Sequence, residues 1–331
     1  DPMAQQVAHP HIPEQPHRRR EDDLMDLPWV AVPPEAIAGA AAQVVVGHQG
    51  REPSGPAQPH AAQNLLEPRL ERIEGQVKVQ VEGKGSSTAP PALIEGTVQL
   101  GNMSRKMKAK ETDAFEEAFG YEPARFDVAL DTLAVFVNKD NPIESLTIAH
   151  VDAAFSKTRK CGLPGDISTW GKLGLGGNWS TAPISLYGRN AASGTYGYFK
   201  KHALCKGDYK DSVKEQPGSA SVVQGIEKDP YGIGYSGIGY MTSGVRAVPL
   251  SPAEGQPAVA ASSENAANGS YPLARFLHIY VNKAPNKDLD RLTAEYLRFI
   301  LSADGQRVVI KAGFDPLDAA TAAEQLAKIG D

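Results

Sequence analysis

One short stretch of the chain contains an arginine, a serine, a glycine and a threonine that could together bind an anion: Arg189, Ser193, Gly194 and Thr195. The apolar run at 183–187 precedes it and aromatic residues at helical spacing follow it, which predicts a strand-to-helix turn. A first helical turn offers unpaired N–H groups and a partial positive charge. Hydroxyls add donors, and an arginine fork fits a tetrahedral oxyanion. The stretch could equally be an ordinary helix cap beside a surface arginine.

Two other loops place small hydroxyl residues after a predicted strand. Ser86 and Ser87 follow the alternating segment 77–81 through a glycine-containing turn, and Ser104 and Arg105 follow a further short strand. Each loop alone is a weak signal, because serine and threonine are common at helix starts. Three such loops in one α/β chain favour a single anion held between them.

These motifs, in this order, resemble the periplasmic phosphate-binding protein of the high-affinity phosphate ABC transporter. The matching stretches are 85–88, 101–107, 188–199, 217–225 and 232–235, and the resemblance covers roughly residues 64–331. It implies an α/β, two-lobed periplasmic-binding-protein fold with hinge crossovers and a ligand cleft between the lobes. It also implies that the protein binds inorganic phosphate there and delivers it to the membrane permease of an ABC importer.

The resemblance also supplies the candidate ligands of the anion. It places phosphate-contacting positions at Ser86, Arg189, Ser193, Gly194 and Thr195. The neighbouring residues of the two other loops complete the candidate set: Ser87, Ser104 and Arg105.

The chain departs from the family pattern in two places. The family often has an aspartate where this chain has Ser104, and that aspartate accepts the proton of hydrogen phosphate and rejects sulfate. A serine hydroxyl can accept a hydrogen bond but does not repel an unprotonated oxyanion. The family also uses a threonine-containing loop near the N-terminus, whereas the aligned stretch at 58–63 has no serine or threonine. We therefore expect phosphate binding with weaker rejection of sulfate.

The composition divides the chain into a divergent N-terminal segment and two lobes. The segment 1–60 is rich in proline, alanine and histidine, and either belongs to the first lobe or is loosely ordered. The apolar runs 126–137 and 274–281 are expected to be the crossovers between lobes. The expected boundaries are 61–132 with 275–331 for the first lobe and 133–274 for the second.

Length and charge agree with this interpretation. A chain of 331 residues can form two lobes with separate cores, and a net charge of −5 argues against nucleic acid as a partner. No apolar run approaches the ~18 residues of a membrane span, and no signal-peptide pattern opens the chain. We expect a mature periplasmic or secreted protein that is monomeric.

The two cysteines, Cys161 and Cys205, lie in polar surroundings within the same expected lobe. They could be two free thiols of a cytosolic protein, but the family resemblance favours a disulfide. Such a bond would close a loop worth on the order of 4 kcal/mol in the chain-entropy model. Their spacing matches no zinc pattern, and neither a metal nor a cofactor is expected.

An enzymatic role is the alternative to a binding function. Ser193 lacks the Gly-x-Ser-x-Gly pattern of a hydrolase nucleophile. His202 follows nine residues later on the same expected helix, about two turns away, where it could not readily act as the base. The sequence therefore predicts a binding protein and not an enzyme. The alternatives are a secreted phosphatase or hydrolase on a related fold, or a binder of another tetrahedral oxyanion such as sulfate.

Overall fold

The computed structural model describes residues 42–48 and 77–330. Most of the divergent segment 1–60 and all of the stretch at 58–63 lie outside the described residues. Strands and helices alternate along the described chain, as an α/β fold requires. Within this part of the chain no helix is both long and apolar enough to span a bilayer.

The strands are β1 (Ala42–His48), β2 (Val77–Gly83), β3 (Leu100–Met103), β4 (Ala124–Asn138), β5 (Leu146–Thr147), β6 (Ser185–Arg189), β7 (Lys214–Gln216), β8 (Gly232–Gly237), β9 (Val245–Ala247), β10 (Leu250–Ser251) and β11 (Ala274–Val281). The helices are α1 (Ala89–Ile94), α2 (Ala109–Phe119), α3 (Ile148–Phe155), α4 (Gly194–His202), α5 (Ser219–Glu227), α6 (Ser263–Ala267), α7 (Arg291–Leu301), α8 (Ala303–Lys311) and α9 (Ala319–Ala327). A short 3-10 turn at Ser86–Thr88 precedes α1.

Nine of the described strands join in one sheet, in the order β2-β1-β3-β11-β4-β8-β6-β7, with β9 also paired to β4. β1 is antiparallel to both β2 and β3. β6 is parallel to β7 and β8, so the carboxyl ends of these three strands lie at the same edge of the sheet. Ligands of open α/β sheets bind at this edge. The turn after β6 is the one that carries Ser193.

β4 connects the two halves of the sheet. Its residues 124–132 pair with β11, whereas its residues 133–137 pair with β8. Burial changes at the same point, from an irregular pattern to complete burial of residues 131–138. A strand covered on both faces requires a continuous apolar run, which the sequence from Leu133 to Val137 provides. We call the strands on the β11 side the first sheet segment and those on the β8 side the second.

Each sheet segment has a core of its own. In the second segment, Phe155 and Phe199 pack with Tyr235, whose ring stacks on Phe199 with centroids 3.8 Å apart. In the first segment, the apolar face of α7 packs with Phe126 and Ile279. The buried residues of α7 recur at helical spacing, as expected of an amphipathic helix that packs on a core.

A third cluster joins the two segments and is named here the shared core. Its members come from β4, β6, α5, β9 and the turn after β8 on one side and from β11, α8 and the residues just after α8 on the other: Ala129, Ala134, Phe136, Tyr187, Val222, Val223, Ile226, Tyr240, Val245, Leu277, Val309, Ala312 and Phe314. Close to it, Gly239 packs against the backbone of Gly313, where a Cβ on Gly239 would collide with the Gly313 carbonyl. The two sheet segments therefore share one hydrophobic core.

The predicted disulfide between Cys161 and Cys205 is confirmed. The Cα atoms of the two residues lie 5.4 Å apart, and the bond links positions 44 residues apart in the chain. Cys161 lies in the loop after α3, where its backbone N–H donates to Asp152. Cys205 lies just beyond α4 and has a left-handed backbone conformation. The bond ties the end of α4 to the loop that follows α3.

Candidate functional site

The turn between β6 and α4 is built as the sequence predicted. Ser193 is the N-cap of α4, and its Oγ accepts hydrogen bonds from the backbone N–H groups of Thr195, at 3.1 Å, and Tyr196, at 3.4 Å. Ser193, Gly194 and Thr195 are all buried. The helix that begins here has nine residues, and its first turn faces the other two loops.

The loop of Ser86 and the loop of Ser104 meet this turn directly. Ser86 is fully buried, and its Oγ accepts a 2.9 Å hydrogen bond from the backbone N–H of Ser104. A Cβ placed on Gly194 would collide with Ser86 Oγ and lie 2.9 Å from the Cβ of Ser104. Glycine at 194 therefore allows the three loops to close on one point.

A second glycine keeps the loop of Ser86 close to this turn. Gly85 has a φ of 100°, a conformation that favours glycine, and a Cβ there would lie 2.6 Å from the carbonyl oxygen of Ala192. The backbone N–H of Ser87 also donates to the Ala192 carbonyl, at 3.4 Å. The backbones of the two loops are thus in contact.

Arg105 is held beside the site by Glu111. Its two Nη atoms bond both carboxylate oxygens of Glu111, at 2.7 and 2.8 Å, and they also donate to the Lys106 carbonyl and to Ser87 Oγ. Burial alone would raise the pKa of Glu111, but the hydrogen bonds from Arg105 and from the Lys108 backbone, with the charge of Arg105, together outweigh it and hold this pKa below its usual value. The four Nη hydrogens are used within the protein, and the positive charge is balanced.

Arg189 ends β6 and reaches toward the start of α5. Its Nη1 donates to Ser219 Oγ at 2.8 Å and its Nη2 donates to the Pro217 carbonyl at 3.0 Å, while its backbone N–H donates to the hydroxyl of Tyr235. This position follows from the parallel pairing of β6 with β7, which places the ends of the two strands side by side.

A buried ion pair lies against the same turn and was missed from the sequence. Arg275 on β11 bonds Asp131 on β4, with nitrogen–oxygen distances of 2.7 and 3.0 Å, and its Nη2 also donates to Thr195 Oγ1 at 2.9 Å. Its guanidinium carbon lies 4.6 Å from the centre of the Tyr198 ring. The available signal was the presence of opposite charges in the two apolar runs expected to be crossovers.

Three hydroxyls in the site share one feature, which is that each accepts a hydrogen bond from a group that can only donate. The donors are the Ser104 N–H for Ser86, the N–H groups of α4 for Ser193, and the Arg275 guanidinium for Thr195. A hydroxyl has one hydrogen of its own, and none of these partners can accept it. Each hydroxyl is therefore set to donate to an acceptor-rich ligand.

The structure brings the sequence-predicted residues together unequally. It joins Ser86, Ser104 and Gly194 at one point, with Ser193 and Thr195 in the same turn. Ser87 and Arg105 form one flank, and Arg189 lies at the end of β6 against α5. The N-terminal stretch at 58–63 lies outside the described residues.

Comparison with known proteins defines the class. A model of the PBP superfamily domain matches residues 54–304. A substrate-binding protein from Clostridium perfringens with bound phosphate has a TM-score of 0.62 and 23% identity, and covers 78% of this chain and 95% of that one. An ABC-type phosphate transport receptor from Vibrio cholerae has a TM-score of 0.57 and 20% identity, and covers 77% and 94%. These matches confirm the predicted two-lobed periplasmic-binding-protein fold with its cleft between the lobes.

Relatives with similar sequences identify the family within this superfamily. The phosphate-binding protein PstS of Pseudomonas aeruginosa is 56% identical over 259 residues, which cover 78% of this chain and 80% of that protein. Protein SphX of Synechococcus elongatus is 28% identical over 247 residues, 73% and 70% of the two chains. The chain therefore belongs to the PBP superfamily and, within it, to the family of the Pseudomonas protein.

Proposed function

We propose that this protein binds inorganic phosphate in the cleft between its lobes and delivers it to the membrane permease of an ABC importer. The carrying observation is the set of hydroxyls on Ser86, Ser193 and Thr195, each of which accepts a hydrogen bond from the protein and is left to donate. A phosphate group presents only acceptor oxygens, apart from its single proton at neutral pH. The 56% identity to a phosphate-binding protein supports the same ligand.

The proposed ligand contacts come from the three loops. Ser86, Ser193 and Thr195 donate through their hydroxyls, and Gly194 donates through its backbone N–H at the start of α4. Ser104 is proposed to contact the anion from the facing loop, and Ser87 from the flank beside Arg105.

The two arginines have different proposed roles. Arg189, which ends β6 and bonds Ser219 and Pro217, is proposed to attract the anion through its positive charge. Arg105, whose Nη hydrogens are used, acts through Ser87 instead. Its balanced charge limits the attraction of divalent anions.

Selectivity is the point at which this site is proposed to differ from its family. A carboxylate facing the anion would repel sulfate, because two acceptors would meet without a proton between them. Ser104 is neutral, so phosphate is bound with weaker rejection of sulfate. Sulfate is accordingly the second candidate ligand.

Closure on the ligand would occur about the crossover strands. We place the lobe boundary where β4 exchanges β11 for β8, between Thr132 and Leu133. The first lobe then comprises 61–132 and 275–331, and the second comprises 133–274.

The cellular setting is proposed from the same family and from the disulfide. Stable disulfides persist in oxidising compartments, so the bond between Cys161 and Cys205 supports a periplasmic or secreted location. We propose that the protein is a monomer. We also propose that it has no enzymatic activity, because a binding protein needs hydrogen-bond donors around its ligand and no nucleophile–base pair.

Calorimetric titration at pH 7 with phosphate and with sulfate tests the proposal. Wild type should bind phosphate, and Ser86→Ala should weaken that binding about 10-fold through loss of one charge-assisted bond. Ser180→Ala removes an exposed hydroxyl elsewhere in the second lobe and should change nothing. Ser104→Asp should lower sulfate affinity more than phosphate affinity. A wild-type protein that binds neither anion would exclude this function.

A further inference from the structure

Arg275 and Asp131 occupy a special place in the sheet. They are directly opposite each other in the pairing of β11 with β4, one residue before β4 leaves β11 for β8. Their side chains are each about 5% exposed, so the ion pair is almost fully removed from water. Such a pair contributes little net stability compared with apolar residues of similar size. Its retention at this point in the sheet calls for another role.

The guanidinium reaches out of the sheet to the anion-binding turn. Arg275 Nη2 donates to Thr195 Oγ1 at 2.9 Å, and Nη1 lies 3.5 Å from the Gly194 carbonyl oxygen. The two residues of the shorter contact are 80 positions apart in the chain. Arg275 also lies over the ring of Tyr198, whose hydroxyl donates to the Ala274 carbonyl. One side chain therefore connects the crossover strands of the first segment to the first turn of α4.

This contact decides which way the threonine hydroxyl can act. Arginine is a donor only, so Thr195 must accept from it and direct its own hydrogen elsewhere. Asp131 fixes the guanidinium from the other side through two hydrogen bonds. An arginine held in this way cannot swing away from Thr195 without leaving a buried carboxylate unpaired.

We propose that Arg275, anchored by Asp131, is a positioning residue that holds Thr195 as a donor to the bound anion and couples the α4 turn to the crossover strands. The inference rests on the proposed function. It differs from that function in assigning the donor state of Thr195 to a pair outside the three anion-binding loops. Loss of the pair should weaken anion binding through Thr195 alone.

A double-mutant cycle between the pair and Thr195 tests this inference. Replacing both charges, Arg275→Met with Asp131→Asn, avoids an unpaired buried ion and should fold. Phosphate affinity, measured by calorimetry, should fall about 10- to 100-fold, as expected for loss of a bond to a charged group. Thr195→Val alone should lower phosphate affinity by a similar factor, and the triple variant should bind phosphate no more weakly than Thr195→Val does. If the triple variant instead lost affinity by the product of the two separate factors, the inference would be overturned.

The same two strands provide a matched control. The half-buried Asp127 and the buried His278 form a second pair, with 2.6 Å between Oδ1 and Nδ1, opposite each other on β4 and β11. Asp127→Asn with His278→Gln should lower the unfolding midpoint of the anion-free protein yet leave phosphate affinity within about twofold. Equal losses of affinity in the control and in the Arg275 pair would show that only sheet stability is involved.

A conservative variant keeps the test decisive if the double variant does not fold. Arg275→Lys retains a positive charge opposite Asp131 but lacks the planar fork needed to bond Asp131 and Thr195 together. It should reduce phosphate affinity and leave the unfolding midpoint nearly unchanged, and full affinity would contradict the proposal. Wild type that binds neither phosphate nor sulfate would instead overturn the proposed function, and this inference with it.

Discussion

The two lobes meet in different ways on the two faces of β4. On one face the contact is polar and is made of loops, with Ser86 and Ser104 against Gly194 and with Arg275 against Thr195. On the other face the contact is the shared core, in which Phe136 packs with residues of α5 and α8. The alternation of β4 side chains separates the faces, since Val135 and Val137 point into the second lobe's own core and Phe136 does not.

This difference indicates how the protein can open without coming apart. Apolar burial is lost when packed surfaces separate, whereas hydroxyls and N–H groups of a cleft can exchange a ligand for water at small net cost. We therefore expect the polar face to open and the lobes to turn about the shared core. Each face should respond to substitution in its own way, the core in stability and the cleft in affinity.

The largest effect is expected in the shared core. Phe136 is fully buried, and Phe136→Ala should lower the free energy of unfolding of the anion-free protein by about 3–5 kcal/mol, because it removes buried area and leaves a cavity. Phosphate affinity of the folded molecules should stay within about threefold. Urea unfolding and calorimetry measure the two quantities. Phe119→Ala, at a half-buried site on α2, is the control and should cost less. A large loss of affinity in Phe136→Ala would contradict the separation of the two faces.

The opposite effect, a loss of phosphate affinity with little loss of stability, is expected in the cleft. In Gly194→Ala the new Cβ would collide with Ser86 Oγ and crowd Ser104, which should prevent full closure. Overpacking of about 1–3 kcal/mol converts to roughly a 10- to 100-fold loss of phosphate affinity. Unfolding of the anion-free protein should change little, because the cleft can remain open.

Gly197 provides the matched control on the same helix. A Cβ there would lie 3.4 Å from Arg105 Cδ, close to an ordinary contact, so Gly197→Ala should bind phosphate nearly as wild type does. If Gly194→Ala loses stability but keeps its phosphate affinity, the loops are closed even without ligand. That result would contradict the assignment of stability to the shared core and of affinity to the cleft.

Much of the site could be predicted because its signals are local. The turn of Ser193 is a cap between a strand and a helix, and such turns are written in consecutive residues. The loop of Ser86 is similar, with Gly85 in a conformation that glycine adopts readily. The disulfide depended on family resemblance rather than on spacing, and the structure confirms it.

The ion pair could not be predicted in the same way, because it depends on strand register. Arg275 is opposite Asp131, and a register shift between Leu277 and His278 offsets the residues beyond it. No short pattern in the sequence encodes this pairing across 144 positions. Likewise, Glu111 balances the charge of Arg105 only because α2 begins at Ala109 and turns its first residues back toward the loop.

The smallest expected effect concerns the flank of the cleft and depends on pH. The pKa of Glu111 lies below its usual value of 4.5 in the folded protein, since the hydrogen bonds from Arg105 and the Lys108 backbone, with the charge of Arg105, together outweigh burial. The folded state therefore binds fewer protons than the unfolded chain near that pH. The stability contributed by the carboxylate is present above pH 4.5 and is lost as the pH falls through the folded-state pKa.

Glu111→Gln should consequently be less stable than wild type at pH 7, by about 0.5–1.5 kcal/mol, and the gap should narrow as the pH falls below 4.5. Urea unfolding at pH 7, 5, 4 and 3.5 measures the gap, with Glu116→Gln on the exposed side of α2 as the control. The variant also leaves the charge of Arg105 unbalanced beside Ser87, so sulfate and phosphate should both bind more tightly at low ionic strength. If the difference in stability between Glu111→Gln and wild type stays constant down to pH 3.5, or if anion affinity does not change, Glu111 does not control the charge beside Ser87.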